Sequence, residues 1–158
     1  MRRALFAIVL SSLLTLPARA NLGETVEQCV KRYGVPIGYS EANAKAPFGT
    51  VAFSAGGYTL LVFVINNKEV GARVSKNDKS AFSDAEMKNI MDADSTGSPW
   101  TPTSSGDPTC IQWTRGDKAT AIYDKANHML IFTSEEMSST VHLPVAKPTP
   151  TSSPQQKP

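Results

Sequence analysis

The stretch "VAFSAGGYTLLVFVINNKEVGARV", residues 51–74, contains three strand-like runs separated by two tight turn signals. The runs at 51–55, 58–65 and 68–74 are rich in β-branched and aromatic side chains, which favour strands. Gly-Gly and Asn-Asn pairs tolerate positive φ and suit two-residue hairpin turns. The stretch therefore predicts a three-stranded antiparallel meander. Its middle run is apolar on both faces, so we expect that strand inside the sheet rather than at an edge.

A helix is predicted just before this meander. Thr25 and Gln28 have the spacing of a capping box, in which each side chain bonds to the other residue's backbone N–H. Gly34 and Pro36 then end the helix. Between these signals an apolar stripe with helical spacing is expected to face a core: Val26, Cys29, Val30 and Tyr33.

The same order of signals recurs further along the chain. Ser83 and Glu86 form a second capping box, and strand-like runs follow at 110–114, 119–123 and 128–132. The second helix should bury one apolar side: Met87, Ile90 and Met91.

A shift of 60 residues aligns the two meanders without a gap, so that Phe53 meets Trp113 and Gly56 meets Gly116. The sequence thus predicts an α+β fold with possible tandem α-β-β-β units at 22–75 and 82–133. The helices are expected to pack on one face of an antiparallel sheet.

Residues 1–20 have the pattern of a secretory signal peptide. Two arginines precede an apolar run, and Ala18-Arg19-Ala20 fits a cleavage site before Asn21. The apolar run is shorter than the roughly 20 residues that span a bilayer. Three of the 16 Lys and Arg residues lie in this leader, which leaves 13 basic against 14 acidic residues after cleavage. That balance argues against binding to nucleic acid or to anionic lipid.

The carboxyl end has a different composition. Residues 144–158 carry five prolines and few apolar side chains, which predicts a disordered tail or spacer. A single α+β domain is therefore expected over 21–143, with one hydrophobic core.

The two cysteines leave several interpretations open. In an exported chain, Cys29 and Cys110 can form one disulfide, which would join the two units and is the favoured prediction. Two buried free thiols are the alternative. A third possibility is a small cysteine hydrolase, in which Cys29 near a helix start is the nucleophile and His128 its base. The apolar stripe around Cys29 argues for burial, and we expect no catalytic residue.

Two other segments suggest ligand sites. Asp92-Ala-Asp94-Ser-Thr96-Gly97 is similar to half of an EF-hand loop, but position twelve would be Thr103 and not Glu. A solvated helix end is expected there, with no metal site. Trp100 lies in a small, polar, proline-rich loop at 95–109, where it can serve as an exposed contact for a partner or fold back over the core as a lid.

The opening segment carries a resemblance to a known family. Its pattern is Leu22-Gly23-x-Thr25-x-x-Gln28-Cys29-x-x-x-Tyr33-Gly34-x-Pro36, which resembles the first helix of the BamE/SmpA-like proteins, where a β-meander also follows. The β-lactamase inhibitor proteins share that broad fold as a tandem repeat, and a group of small secreted bacterial proteins is similar too. The resemblance implies a small envelope module that acts by contact with other proteins, and it assigns no functional residue.

Taken together, we expect a periplasmic or extracellular, non-enzymatic module that binds another envelope or extracellular protein and needs no cofactor. The alternatives are the hydrolase that uses Cys29 and His128, and a small-ligand binder in a groove between the two units with Trp100 at its rim.

Overall fold

The computed structural model describes residues 21–43, 46–95 and 97–140, and the predicted signal peptide and tail lie outside these ranges. Three helices occur within the described residues: α1 (Val26–Tyr33), α2 (Asp84–Asp94) and α3 (Glu135–Thr140). Eight strands complete this part of the chain: β1 (Gly38–Ser40), β2 (Gly49–Ala55), β3 (Tyr58–Ile65), β4 (Lys68–Lys76), β5 (Thr101–Thr103), β6 (Cys110–Thr114), β7 (Thr120–Asp124) and β8 (Met129–Thr133).

All eight strands form one antiparallel sheet in the order β1-β2-β3-β4-β8-β7-β6-β5. The class is α+β, dominated by the sheet, and β3 lies inside it as expected. Each predicted meander has one additional short strand at its outer edge. This strand is β1, beside β2, in the first meander and β5, beside β6, in the second. Sequence reasoning missed both because they are three residues long and lack an alternating apolar pattern.

The local signals at the helix starts and turns are confirmed. Both capping boxes form, at Thr25 and at Ser83. The Asn66-Asn67 turn has positive φ at both residues, 49° and 62°, as a tight hairpin requires. One residue of the predicted stripe departs from expectation: Val30 is 37% exposed because it lies on the outer side of α1.

One face of the sheet carries the main core. Residues directly opposite each other on paired strands point to the same face, so the register defines this set. The face packs with α1 and α2, and we call it the α1/α2 face. Its buried strand residues are Val51, Phe53, Leu60, Val62, Ala72, Val74, Ala121, Tyr123, Leu130 and Phe132, in one cluster with Cys29, Tyr33, Met87, Ile90 and Met91.

The third helix packs elsewhere. Met137 of α3 is buried against Gly71, which points to the opposite side of the sheet, here called the α3 face. A Cβ at Gly71 would lie 2.7 Å from the Phe132 carbonyl oxygen and would also overlap the Met137 sulfur. The prediction that the helices pack on one face of the sheet therefore does not hold for α3. The sequence pattern did not predict this helix.

A β-bulge changes the orientation of Glu69. In the β3–β4 pairing Phe63 lies opposite Gly71 but Val64 lies opposite Glu69, so one extra residue, Val70, is inserted in β4. Strict alternation would place Glu69 on the α3 face with Gly71. The bulge turns it to the α1/α2 face, under α1, where it is 1% exposed.

The 60-residue alignment of the two meanders needs a gap. It pairs Leu61 with Ala121, but Leu61 points to the α3 face and Ala121 to the α1/α2 face. The cause lies in the turns: Gly56 and Gly57 join β2 to β3, whereas β6 and β7 are joined around Gly116 by one residue more. Tandem units remain a prediction, and they require this insertion.

Candidate functional site

A groove in the described part of the chain lies between α2, the following loop and β6. It has a volume of about 700 Å³. The groove runs along the full length of α2, and its walls combine apolar side chains with charged groups at the rim: Asp84, Met87, Lys88, Met91, Asp92, Ser95, Gly97, Ser98, Pro99, Trp100, Pro102, Ile111 and Trp113. The two tryptophans of the sequence, Trp100 and Trp113, both line it. It lies within the second predicted unit and not between the two units.

Trp100 forms a fixed part of the groove wall. Its Nε1 donates to the Met91 carbonyl oxygen at 3.0 Å, and its ring centroid lies 5.7 Å from that of Phe132. The Arg115 guanidinium lies 4.8 Å from the centre of the indole ring. Trp100 is therefore half-buried. It folds back over the core, as the second of the two expectations for this residue describes, and still presents part of its surface to the groove.

A buried ion pair supports this wall from behind. Arg115 Nη1 donates to Asp94 Oδ2 at 3.0 Å and to the Asp94 carbonyl oxygen, while Nε and Nη2 donate to the Asp117 carboxylate at 2.9 and 2.8 Å. The other Asp94 oxygen accepts from the Leu22 amide at 3.0 Å. Asp94 thus joins the segment before α1, the end of α2 and the β6–β7 turn.

The environment of Asp94 corrects the expectation of a solvated helix end. Asp94 is 0% exposed, because the chain before α1 and the β6–β7 turn close over it. Burial raises the pKa of Asp94 to about 7, against the opposing effects of the Leu22 amide and the Arg115 guanidinium. The sequence offered no signal for this pairing, since its partners lie 21 and 72 residues away.

The structure does not bring Cys29 and Cys110 together, and both are free. Cys29 is buried under α1 on the α1/α2 face. Cys110 lies opposite Asp124, in a row of residues that points to the α3 face, and its sulfur lies 3.9 Å from Asp107 Oδ2. The sheet therefore separates the two thiols, and the predicted bridge is absent for this reason.

The alternative pairing of Cys29 with His128 is not assembled either. The Cys29 thiol donates to Glu69 Oε2 at 3.5 Å, and burial, with Glu69 beside it, raises the pKa of Cys29 to about 12. His128 lies in the β7–β8 turn with Nδ1 3.0 Å from the Lys79 carbonyl oxygen. Within the described residues no imidazole lies beside the Cys29 thiol, which holds its proton, so this part of the chain does not supply the activation that a cysteine hydrolase needs.

Side chains able to hold a metal ion come together at one place in the described residues. A carboxylate oxygen of Glu24, the Cys29 sulfur and a carboxylate oxygen of Glu69 lie within 4.8 Å of one another. No metal site was predicted from the sequence. The spacing of these residues follows no metal-binding motif, and the bulge that turns Glu69 inward is visible only in the fold.

Comparison with known proteins gives no family. No family model matches the sequence, and no curated protein matches it. A solved structure of a cysteine-rich secretory protein from Staphylococcus aureus subsp. aureus Mu50 is 10% identical with a TM-score of 0.49, over 73% of this chain and 45% of that one. A solved extracellular protein containing a SCP domain from Bacillus anthracis str. Ames is 11% identical with a TM-score of 0.38, over 86% of this chain and 50% of that one.

The chain spans about half the length of these two solved structures. At such identities and TM-scores neither likeness assigns a family or a function. The resemblance of residues 22–36 to the BamE/SmpA-like proteins therefore stays a prediction.

Proposed function

We propose that this protein is an exported, non-enzymatic module that binds another protein of the envelope or the extracellular space, and that the groove along α2 takes an extended apolar segment of that partner. The observation that carries the proposal is the groove itself, which follows the whole of α2 with an apolar floor. Export rests on the predicted signal peptide at 1–20.

The shape of the groove favours an extended segment. α2 has 11 residues, so the groove beside it is about 16 Å long. An extended chain rises by roughly 3.3 Å per residue, and about five residues would lie along that length. Met87, Met91, Trp100 and Trp113 along the groove offer repeated apolar contacts for alternate side chains of such a segment. At the rim, Lys88 is already paired with Asp92, so Asp84 is the carboxylate that favours a basic residue in the partner.

Addition of a strand to the sheet edge is a less favourable mode of binding here. β5 is an edge strand of only three residues, and its central residue Pro102 has no N–H to donate. Recognition through side chains in the groove avoids that limit.

No helix in the described ranges is long and apolar enough to cross a membrane.

Site-specific photocrosslinking in cells that export the protein tests this function. A benzophenone amino acid replaces Lys88 at the rim of the groove, and a control carries it at Asn89, which is exposed on α2 but does not line the groove. We expect one discrete protein adduct from position 88 and none from position 89. The same adduct from both positions, or none from either, would contradict the proposal.

A small apolar ligand is the second candidate for the groove. Its volume of about 700 Å³ lies within the range of small-molecule sites. Because Trp100 and Trp113 both line the groove, intrinsic tryptophan fluorescence reports on its occupancy. Quenching by a defined metabolite, with no protein adduct from position 88, would favour this candidate.

A further inference from the structure

A group of polar side chains lies buried between α1 and the start of β4. Glu24 precedes α1, Cys29 lies on α1, and the bulge brings Glu69 of β4 beneath them. The segment before α1 is fixed to β4 by backbone bonds from Gly23 N to Glu69 O at 2.8 Å and from Glu69 N to Glu24 O at 2.7 Å. These contacts hold the three side chains in one place.

Unpaired polar atoms are concentrated at the same place. In the described ranges, the buried side-chain nitrogen and oxygen atoms without a hydrogen-bond partner are Asn21 Oδ1, Glu24 Oε2, Arg32 Nε, Tyr33 Oη and Glu69 Oε1. Tyr33 and Glu69 are both more than nine-tenths buried. Tyr33 follows Cys29 by one turn of α1, and both side chains are buried on the same side of that helix. Buried polar atoms are normally bonded, so such a concentration indicates a site for a ligand.

The charges of the cluster favour a cation. It contains two carboxylates, and Arg32 is paired with Glu24. Within the described residues no basic side chain is paired with Glu69, whose only side-chain hydrogen bond comes from the Cys29 thiol at 3.5 Å. A buried carboxylate without a cation is costly, and a bound positive ion would offset that cost.

We propose that Glu24, Cys29 and Glu69 form a binding site for a divalent transition-metal ion of the zinc class, with the Tyr33 oxygen as a further donor. A sulfur ligand excludes Ca²⁺ and Mg²⁺, which take oxygen ligands. Zn²⁺ accepts sulfur and carboxylate oxygen in a tetrahedral arrangement, in which neighbouring ligand atoms lie about 3.6 Å apart. The Cys29 sulfur and Glu69 Oε2 are already at 3.5 Å, and the Glu24 oxygen, which lies within 4.8 Å of the other ligand atoms, needs to approach by no more than about 1 Å.

The ion would join α1 to β4 as a structural link. Its route from solvent passes Glu24 and Arg32, whose side chains are 15% and 28% exposed, whereas Cys29 and Glu69 are closed off. Binding displaces the Cys29 proton to solvent. Arg32 competes with the ion for Glu24, so entry of the metal requires this ion pair to open.

Cobalt substitution provides the direct test. The exported chain is freed of metal with a chelator and titrated with Co²⁺, whose tetrahedral sulfur-ligated complexes show a near-ultraviolet charge-transfer band and strong visible bands. We expect these bands at one Co²⁺ per chain. Cys29→Ser should abolish the charge-transfer band and weaken competing Zn²⁺ binding by about 100-fold or more. Cys110→Ser, the matched control on the α3 face, should leave both unchanged.

A second variant keeps the test valid if Cys29→Ser does not fold. Arg32→Gln removes the competing cation, and we expect it to tighten Zn²⁺ binding about tenfold. Circular dichroism establishes that each variant is folded. Failure of the wild-type chain to bind Co²⁺ or Zn²⁺, a charge-transfer band that depends on Cys110, or unchanged affinity in Arg32→Gln would overturn the proposal.

Discussion

The Arg115 guanidinium lies 4.8 Å from the centre of the Trp100 ring and also donates to the buried Asp94 carboxylate at 3.0 Å. This contact links the wall of the α2 groove to the most buried ion pair of the described chain. The position of Trp100 therefore depends on residues from three separate parts of the sequence. Disruption of the Arg115–Asp94 ion pair should change the position of the Trp100 ring in the groove wall.

Replacement of Arg115 by Met should destabilise the protein by about 3 kcal/mol, because it leaves the buried Asp94 carboxylate without a cation. Asp94→Asn in the same chain should recover part of this loss. Urea unfolding measures the loss of stability in Arg115→Met and its recovery by Asp94→Asn. The tryptophan emission of the folded variant shows whether Trp100 has moved. A cost below about 1 kcal/mol would mean that the ion pair does not support the wall.

The cost of Arg115→Met should also depend on pH. The folded-state pKa of Asp94 is raised from 3.8 to about 7, so its contribution to stability is present below 3.8 and is lost as the pH rises through 7. Removal of Arg115 raises this pKa further. We expect the destabilisation to be smaller at pH 5, where Asp94 can take a proton, than at pH 8. Equal costs at the two pH values would contradict this.

Gly71→Ala should destabilise the protein by about 1–3 kcal/mol, since the new Cβ would lie 2.7 Å from the Phe132 carbonyl oxygen and would overlap Met137. Met137→Ala, added to Gly71→Ala, should recover only the part of the lost stability that is due to overlap with the Met137 side chain. Gly38→Ala is the control, because its Cβ would lie 3.6 Å from Ala52, an ordinary contact. Thermal unfolding of these variants, compared with the wild-type chain, decides whether α3 packs on this face as described.

Thiol titration of the native protein should detect one accessible sulfur. Cys110 is partly exposed, while Cys29 is 1% exposed and its pKa is raised to about 12. The fast-reacting thiol should disappear in Cys110→Ser, and the second should react only after unfolding. If no thiol reacts before reduction, the cysteines are bridged and the separation across the sheet is wrong.

The capping box of α2 predicts a second dependence on pH. The Lys76 ammonium at 2.7 Å and the Ser83 backbone N–H lower the pKa of Glu86 from 4.5 to about 2. Its contribution is therefore present above pH 4.5 and is lost as the pH falls through 2. Because Glu86 is solvent-accessible, we expect no more than about 1 kcal/mol. In urea unfolding between pH 2 and 6, the free energy of unfolding of Glu86→Gln should lack the pH dependence that Glu86 contributes. If the wild-type chain and Glu86→Gln show the same dependence on pH, Glu86 is not its source.

The features that could be predicted from sequence are those whose physics is local. The capping boxes at Thr25 and Ser83 and the Asn66-Asn67 hairpin each depend on residues within a few positions, and each forms as expected. The apolar side of α2 is also buried as expected, because helical spacing alone defines it.

The remaining features depend on contacts between distant residues. Glu69 faces α1 only because a bulge interrupts the alternation of β4, and no residue pattern marks that bulge. Asp94 is buried by Leu22 and Arg115, which are far from it in the chain. Export and the number of cysteines favour a Cys29–Cys110 bridge, but the faces to which the two residues point are a property of the whole sheet.

Titration followed by tryptophan fluorescence tests whether the groove along α2 binds the partner. The protein captured from position 88 is purified and titrated into the wild-type chain, Lys88→Trp and Asn89→Trp. Because the added indole at 88 would overlie the groove, we expect binding to weaken by about tenfold or more in Lys88→Trp and to stay unchanged in Asn89→Trp, whose residue does not line the groove. Equal affinity for all three chains would contradict the claim.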